Sequence, residues 1–261
     1  MAVKIGHATG DENRQAKKGK AGDQTKKEVS TRAWYLHKQG WVLLRPKSSE
    51  AAEKIAKAME MACANNQIGY DQSQRNTLFD NVKDKGFNPS KTTKNVETDC
   101  SALVRTCIAY AYGKDVTGSM RTVHLPSTLV STKLFTKYTS SKYCKSSDYL
   151  RRGDILCTPT KGHVVVVLTD GENAYRKVAT TKPKKYNTSV KGTYKTTADL
   201  NMRNGAGVST KKMTTIPKGT KVKCDGKYSV SNGRKWLYIC YDVGKKRYIG
   251  FSSSKYLSKI K

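Results

Sequence analysis

The stretch VETDCSALVRTCIAYAYG, residues 96–113, joins an acid and a thiol to the start of an apolar repeat. Thr98 or Asp99 can cap a helix whose first turn contains Cys100, and Gly113 can end it. The apolar residues of the repeat fall on one helical face. Cys100 therefore has two interpretations. It is either a small buried side chain, or a nucleophile whose pKa is lowered by the free N–H groups and the dipole at the start of the helix.

A histidine further along the chain favours the second interpretation. LRRGDIL (150–156) predicts the start of one strand, and His163 opens the valine-rich run GHVVVVLTDG (162–171). An imidazole at the head of a strand can accept the proton of a thiol at the start of a helix, as in papain-like hydrolases. Asp170-Gly171 predicts a hairpin into a further strand that ends near residue 178.

The remaining patterns before residue 100 predict ordinary scaffold elements. They indicate a loop, a strand and two helices, over residues 6–29, 33–44, 50–65 and 74–85 respectively. His7 and His37 are interpreted as surface or loop residues. His124 and the cysteines lack the spacing of a metal site, so no metal is expected.

The charge of the chain points to an anionic partner. Its 261 residues contain 50 Lys and Arg against 20 acids, a formal net charge of +30. Residues 192–261 hold 16 of these cations and 3 acids, a net of +13, so the charge is densest there. Nucleic acid, anionic lipid and anionic cell-wall polymers all have the negative charge that such a partner needs. No base-stacking motif occurs, so nucleic-acid binding is not expected.

The cysteine content and the first residues of the chain indicate in which kind of cellular compartment the protein is made. The seven cysteines are scattered, which is typical of buried thiols made in a reducing compartment. No signal peptide is recognisable at the start, and no apolar run reaches the roughly 20 residues needed to span a bilayer. We therefore expect synthesis in a reducing compartment and, if the protein acts outside the cell, release by a route other than a cleaved signal.

Three motifs, in order, resemble those of the NlpC/P60 family of cell-wall cysteine hydrolases. They are TDCSALV around the cysteine, LRRGDIL, and GHVVVVLTDG around the histidine. The segment GDENRQAKKGKAGDQTKKEV is also similar to the N-terminal part of phage-encoded enzymes of this type. The resemblance covers residues 1–178 and implies a papain-like α+β catalytic domain that cleaves an amide bond of the wall peptide. Such an enzyme is an endopeptidase or an N-acetylmuramoyl-L-alanine amidase and needs no cofactor.

The resemblance also implies site roles. Cys100 would be the nucleophile and His163 the general base. The family's third, orienting residue lies on the strand after the base, where this chain has Tyr175, with Asn173 nearby. The alternatives are Asp23 or Gln24 of the N-terminal loop. Tyr70 is the candidate for completing the oxyanion hole.

The C-terminal part resembles a bacterial SH3-type wall-binding domain. The resemblance rests on TTADLNMRNGAGVSTKKMTTIPKGTKVKC (196–224), WLYICYD (236–242) and RYIGFSSSKYL (247–257). It implies a linker over residues 179–193 and a small all-β, SH3-like barrel over 194–261. Trp236 and Tyr256 are the candidate wall-contacting aromatics.

The sequence thus predicts a monomeric, two-domain peptidoglycan hydrolase of the phage endolysin type. Its partners would be peptidoglycan and anionic wall polymers. The alternative is a wall- or polyanion-binding protein with a decayed hydrolase site, because the third residue after His163 departs from the family pattern.

Overall fold

The computed structural model describes residues 2–160 and 162–260, which form two compact units divided between Ala174 and Tyr175. The sequence assigns residues 176–178 to the first domain, whereas they form a strand in the sheet of the second unit. In the described part of the chain, no helix has the length and apolar character needed to cross a membrane.

The first unit is built on a mixed arrangement of sheet and helix. Its strands are β1 (Lys4–Ala8), β2 (Val29–Ala33), β3 (Val42–Pro46), β4 (Ile68–Tyr70), β5 (Val96–Thr98), β6 (Phe135–Tyr138), β7 (Ile155–Cys157) and β8 (Val164–Val167). Among the described residues, six of them form an antiparallel sheet in the order β2-β1-β8-β7-β3-β6, and β4 and β5 form a separate parallel pair.

Helices cover the sheet. They are α1 (Ser49–Cys63), α2 (Thr77–Val82), α3 (Cys100–Tyr112), α4 (Leu125–Ser131) and α5 (Ser141–Cys144). Val164 and Val166 of β8 join the core formed with α1 and α3, whereas Val165 and Val167 join a second core on the opposite face. Burial on both faces explains why β8 is an unbroken valine run rather than an alternating pattern.

The predicted helix after Asp99 is confirmed, and so are its signals. The Asp99 Oδ1 atom accepts a hydrogen bond from the Ala102 N–H at 2.7 Å, which caps α3. Gly113 ends the helix with φ of 69°. The helix predicted over 50–65 is α1, capped by Ser48, and the one predicted over 74–85 is α2 followed by a 3₁₀ turn that ends at Gly86.

Two predictions near the N-terminus are wrong. Residues 6–8, assigned to a loop, belong to β1, because the neighbouring apolar residues Val3 and Ile5 are buried and anchor a strand between β2 and β8. Residues 33–44, assigned to one strand, contain the end of β2, a loop and the start of β3.

The predicted hairpin at Asp170-Gly171 is also wrong. The neighbours of β8 are β7 and β1, and no strand returns beside β8 from that turn among the described residues. The Gly171 N–H donates to the Leu150 carbonyl oxygen at 2.9 Å, and a side chain there would overlap the Ser147 carbonyl oxygen. Gly171 therefore permits a close approach between two loops rather than a two-residue turn.

The second unit consists of strands and short turns. Its strands are β9 (Arg176–Val178), β10 (Lys185–Tyr186), β11 (Gly192–Thr196), β12 (Leu200–Arg203), β13 (Lys212–Ile216), β14 (Lys221–Ser231), β15 (Arg234–Val243), β16 (Lys246–Ser253) and β17 (Leu257–Lys259). Their order is β13-β12-β16-β15-β14-β11-β17, with β10 beside β14 and β9 beside β16. Within residues 175–260 this path has two ends and forms no closed barrel, so the SH3-like barrel stays a prediction. Strand β10 lies inside the predicted linker 179–193.

Candidate functional site

The Cys100 thiol lies at the start of α3, against the head of β8. It is 7 % exposed, and its Sγ atom is 3.6 Å from the Thr122 hydroxyl oxygen. The backbone N–H of Val164, the residue after His163, donates to the same sulfur. The structure therefore brings the candidate nucleophile to the strand residue adjacent to the candidate base. Thr122 is a neighbour that the sequence motifs do not indicate.

The thiol is protonated in the free protein. Burial, followed by the charge of Asp99, raises the pKa of Cys100 to about 11. The hydrogen bonds from Thr122 and Val164 and the charge of Arg75 act in the opposite direction, but they are weaker. The sequence predicts a lowered pKa from the helix N-terminus, and the outcome is the reverse because loss of solvation disfavours the thiolate more than these groups stabilise it.

Asp99 is engaged by groups other than the thiol. Besides capping α3, its carboxylate accepts a hydrogen bond from the Ser101 hydroxyl at 3.0 Å. Its Oδ2 atom lies 2.9 Å from Arg75 Nε in an ion pair. The Arg75 guanidinium also donates to the Ser101 hydroxyl and to the Met120 carbonyl oxygen, at 2.8 and 2.6 Å. These contacts hold the start of α3 and the wall beside the thiol in one network.

His163 is half-buried and held on both sides. Its backbone N–H donates to the Thr158 hydroxyl at 2.9 Å. Its Nε2 atom lies 3.2 Å from Nδ1 of His7, with the rings edge to face. Burial lowers the pKa of His163 to about 3, with smaller contributions from the charges of His7, His37 and Arg32. The ring is therefore neutral, and one nitrogen of the His7–His163 contact donates while the other accepts.

His7 is the residue that the sequence interpretation misses. It lies in β1, is 3 % exposed, and burial lowers its pKa to about 4. Continuing the β1–β8 register sets it diagonally across from the head of β8, within reach of an aromatic side chain. The buried apolar residues around it are the available sequence signal for a strand. Strand β1 pairs with β8, about 160 positions away, and no local sequence pattern predicts a pairing over that separation.

The side chains of Asp23 and Gln24, two of the predicted orienting residues, form hydrogen bonds with backbone groups of residues 21–29. The Asp23 carboxylate accepts backbone N–H groups of its own loop from Thr25, Lys27, Glu28 and Val29. The Gln24 side chain donates to carbonyl oxygens of the same loop. The Asn173 N–H donates to the Asp148 carbonyl oxygen, and Tyr175 belongs to the second unit.

Tyr70 lies near the thiol. It ends β4, is buried, and its hydroxyl accepts a hydrogen bond from Gln72 Nε2 at 3.0 Å. Burial, and after it the charge of the Cys100 thiolate, raises the pKa of Tyr70 to about 12. The phenol is therefore a neutral donor at physiological pH.

A cleft of about 380 Å³ opens beside the thiol. Its walls come from the N-terminal loop, the segment after β4, the start of α3 and the turn before α4. The lining residues include Lys17, Gln72, Arg75, Asp99, Cys100, Arg121 and Thr122.

The aromatic residues proposed for wall contact differ in exposure. Trp236 is 4 % exposed and packs with Ala179 and Phe251 in a small apolar cluster. Tyr256 is 40 % exposed. In the second unit, the Tyr256 ring is therefore accessible at the surface, whereas the Trp236 ring belongs to the core.

The first unit is therefore an α+β domain with a solvent cleft at its candidate thiol. A family model described as the endolysin-like domain matches residues 5–174. The chain belongs to this endolysin-like family, which indicates a cell-wall lytic function and a hydrolase that acts on peptidoglycan. No curated protein and no solved structure matches the chain. The family match supports the predicted phage endolysin type. The NlpC/P60 and SH3-type likenesses rest on the sequence motifs alone.

Proposed function

We propose that the chain is a cysteine peptidoglycan hydrolase with Cys100 as nucleophile and His163 as general base. The observation that carries the proposal is the arrangement at the head of β8. There the Val164 N–H binds the thiol and the adjacent His163 ring contacts a second buried imidazole, His7. We assign the positioning role to His7 because of this contact, and Tyr175, Asn173, Asp23 and Gln24 stay the candidates that the sequence predicts.

The contact defines a tautomer for the reaction. If His163 Nε2 carries the proton and donates to His7 Nδ1, then His163 Nδ1 is unprotonated and can accept the thiol proton. The sulfur attacks the scissile carbonyl carbon, and the imidazolium then protonates the leaving amine as the C–N bond breaks. Water, deprotonated by the same imidazole, hydrolyses the thioester. Because both groups are neutral in the free protein, the thiolate forms by proton transfer during the attack.

Stabilisation of the oxyanion is assigned to two donors. The first N–H groups of a helix lack intrahelical acceptors, so the Cys100 N–H is available to the developing charge. The Tyr70 hydroxyl is the second candidate, because the phenol is protonated and is coupled to the thiol electrostatically.

The second unit is proposed as a wall-binding domain over residues 194–261. Its net charge of +13 and exposed Tyr256 support attraction to anionic wall polymers with aromatic contact. The alternative of a decayed hydrolase rests on a missing orienting residue. The proposed orienting role of His7 would fill that position, which favours an active site over a decayed one.

The test is lysis of purified walls, followed by turbidity. We expect Cys100→Ser to lose at least nine-tenths of the activity while wall binding persists, because the hydroxyl replaces the nucleophile without changing the charged second unit. Mass spectrometry of the released fragments identifies the cleaved bond. A sugar chain whose muramic acid has lost its peptide indicates the amidase, whereas a new amine within the peptide indicates the endopeptidase. Retention of more than about a tenth of the lytic activity by Cys100→Ser would rule out the assigned nucleophile.

A further inference from the structure

The cleft beside Cys100 carries an excess of positive charge. Four charged side chains line it, namely Lys17, Arg75, Asp99 and Arg121. Asp99 and Arg75 neutralise each other, since their Oδ2 and Nε atoms are 2.9 Å apart. Among the described lining residues Asp99 is the only acid, so the remaining charge comes from Lys17 and Arg121.

The backbone on both sides of Lys17 is fixed at the cleft. The Lys18 N–H donates to the Asp71 carboxylate at 2.7 Å, and the Gln72 N–H donates to the Ala16 carbonyl oxygen at 2.9 Å. Asp71 is itself buried and accepts the Ser73 N–H. The N-terminal loop is therefore tied to the segment after β4 at the residues that flank Lys17. The lysine itself is exposed at the cleft.

The position of Arg121 is fixed as well. Its carbonyl oxygen accepts the N–H groups of His124 and Leu125 at the start of α4. The preceding residue, Met120, is buried and accepts a hydrogen bond from Arg75. The Arg121 side chain is exposed. None of the ion pairs between described residues involves Arg121 or Lys17. Two cations are thus presented beside the nucleophile by anchored backbone rather than by free loops.

Resting on the proposed function, we propose that this cleft selects a wall peptide with a free carboxylate near the scissile amide, and that Lys17 and Arg121 determine this specificity. A carboxylate matches the fork of an arginine and the point charge of a lysine. A peptide in which the same carboxylate is amidated has nearly the same shape but no charge. The enzyme should therefore discriminate between acidic and amidated wall peptides.

The test measures binding to the full-length Cys100→Ala protein. The probes are two soluble stem peptides identical except for D-isoglutamate in one and D-isoglutamine in the other. We expect the acidic peptide to bind about tenfold more tightly or better, in line with the strength of hydrogen bonds to charged groups. Lys17→Gln and Arg121→Gln should each reduce this preference, and the double variant should abolish it.

Lys57→Gln is the matched control, because it removes one exposed positive charge from α1 outside the cleft. It should leave the preference unchanged. Equal binding of the two peptides, no binding of either, or a preference that survives the double variant would each overturn the proposal. Failure of the proposed function is detected separately. In that case Cys100→Ala still lyses walls, whatever the two peptides show.

Discussion

At the scale of single residues, the proposed chemistry depends on two imidazoles in contact, of which His7 is buried and His163 is half-buried. The contact with His7 engages Nε2 of His163, so in the proposed mechanism Nδ1 of His163 is the nitrogen that accepts the thiol proton. A neutral His7 accepts a hydrogen bond without adding a charge that would oppose formation of the imidazolium. Its burial keeps it neutral across physiological pH.

We therefore expect His7→Ala to lower kcat by about 10- to 100-fold with little change in KM, since it loosens the base without touching the peptide. His7→Gln, whose side-chain oxygen can accept the same hydrogen bond, should restore much of the rate. His124→Ala removes an exposed histidine and serves as the control. Equal losses for the Ala and Gln variants would indicate that His7 only fills space.

The thiol gives a second prediction at this scale. Because burial and Asp99 hold the pKa of Cys100 at about 11, its alkylation by iodoacetamide should rise about tenfold per pH unit between pH 7 and 10. Asp99→Asn keeps the helix cap but removes the nearest negative charge, so it should accelerate alkylation at every pH in this range. Mass spectrometry of the modified peptide separates Cys100 from the other thiols. A rate that is already constant below pH 8 would show a preformed thiolate.

At the scale of elements, local sequence signals predicted the helix that bears the thiol, but they did not predict which strands pair across long sequence separations. The Asp99 cap, the apolar face and Gly113 all lie within the predicted segment, so the position of Cys100 followed from the sequence. The neighbour of β8 did not. A turn dipeptide at 170–171 suggested a hairpin, but the position beside β8 is taken by β1. The histidine that contacts His163 therefore comes from the N-terminal strand β1, to which no local pattern near His163 points.

The glycine of the LRRGDIL motif has a structural reason that can be tested. Gly153 has φ of 86°, and a side chain there would overlap the carbonyl oxygen of Ala52 in α1. We expect Gly153→Ala to lower the free energy of unfolding by about 3 kcal/mol or more, because left-handed strain and a backbone clash add. Denaturant unfolding measures the difference.

Gly113→Ala is the matched control, because φ is also positive, at 69°, but the added carbon meets no atom within 4 Å. Its cost should be about 1 kcal/mol, from the backbone conformation alone. If the two substitutions lower the free energy of unfolding equally, the close packing of α1 against the loop before β7 does not explain the need for Gly153.

At the scale of the whole molecule, the N-terminal loop is attached through buried carboxylates. Glu28 accepts the N–H groups of Gln24 and Tyr70, and Glu97 accepts that of Gly22. The second oxygen of Glu97 is buried without a hydrogen-bond partner in the described structure. Burial, with the charge of Glu28 as a smaller cause, raises the pKa of Glu97 to about 8.

The stability of the first unit should therefore depend on pH through Glu97. Between pH 4.5 and 8 the folded protein retains a proton that the unfolded chain releases, so this group's contribution to stability is lost as the pH rises. Glu97→Gln removes the dependence. The free energy of unfolding of Glu97→Gln, relative to the unsubstituted protein, should increase between pH 5 and pH 9. Glu172→Gln is the control, because it replaces an exposed glutamate and should show no such trend. If the difference in the free energy of unfolding between Glu97→Gln and the unsubstituted protein does not change with pH, Glu97 is not the group responsible.

The pairing of β1 with β8 has a consequence for biosynthesis. Residues 4–8 are translated before their partner at 164–167, which follows about 160 residues later. Contacts of such sequence separation form late, because the intervening chain must first be brought together. Cys100 can enter its helix long before His163 and His7 can meet. In the proposed mechanism, an unfinished nascent chain therefore carries the thiol without its base, and lysis would begin only when nearly the whole first unit has left the ribosome.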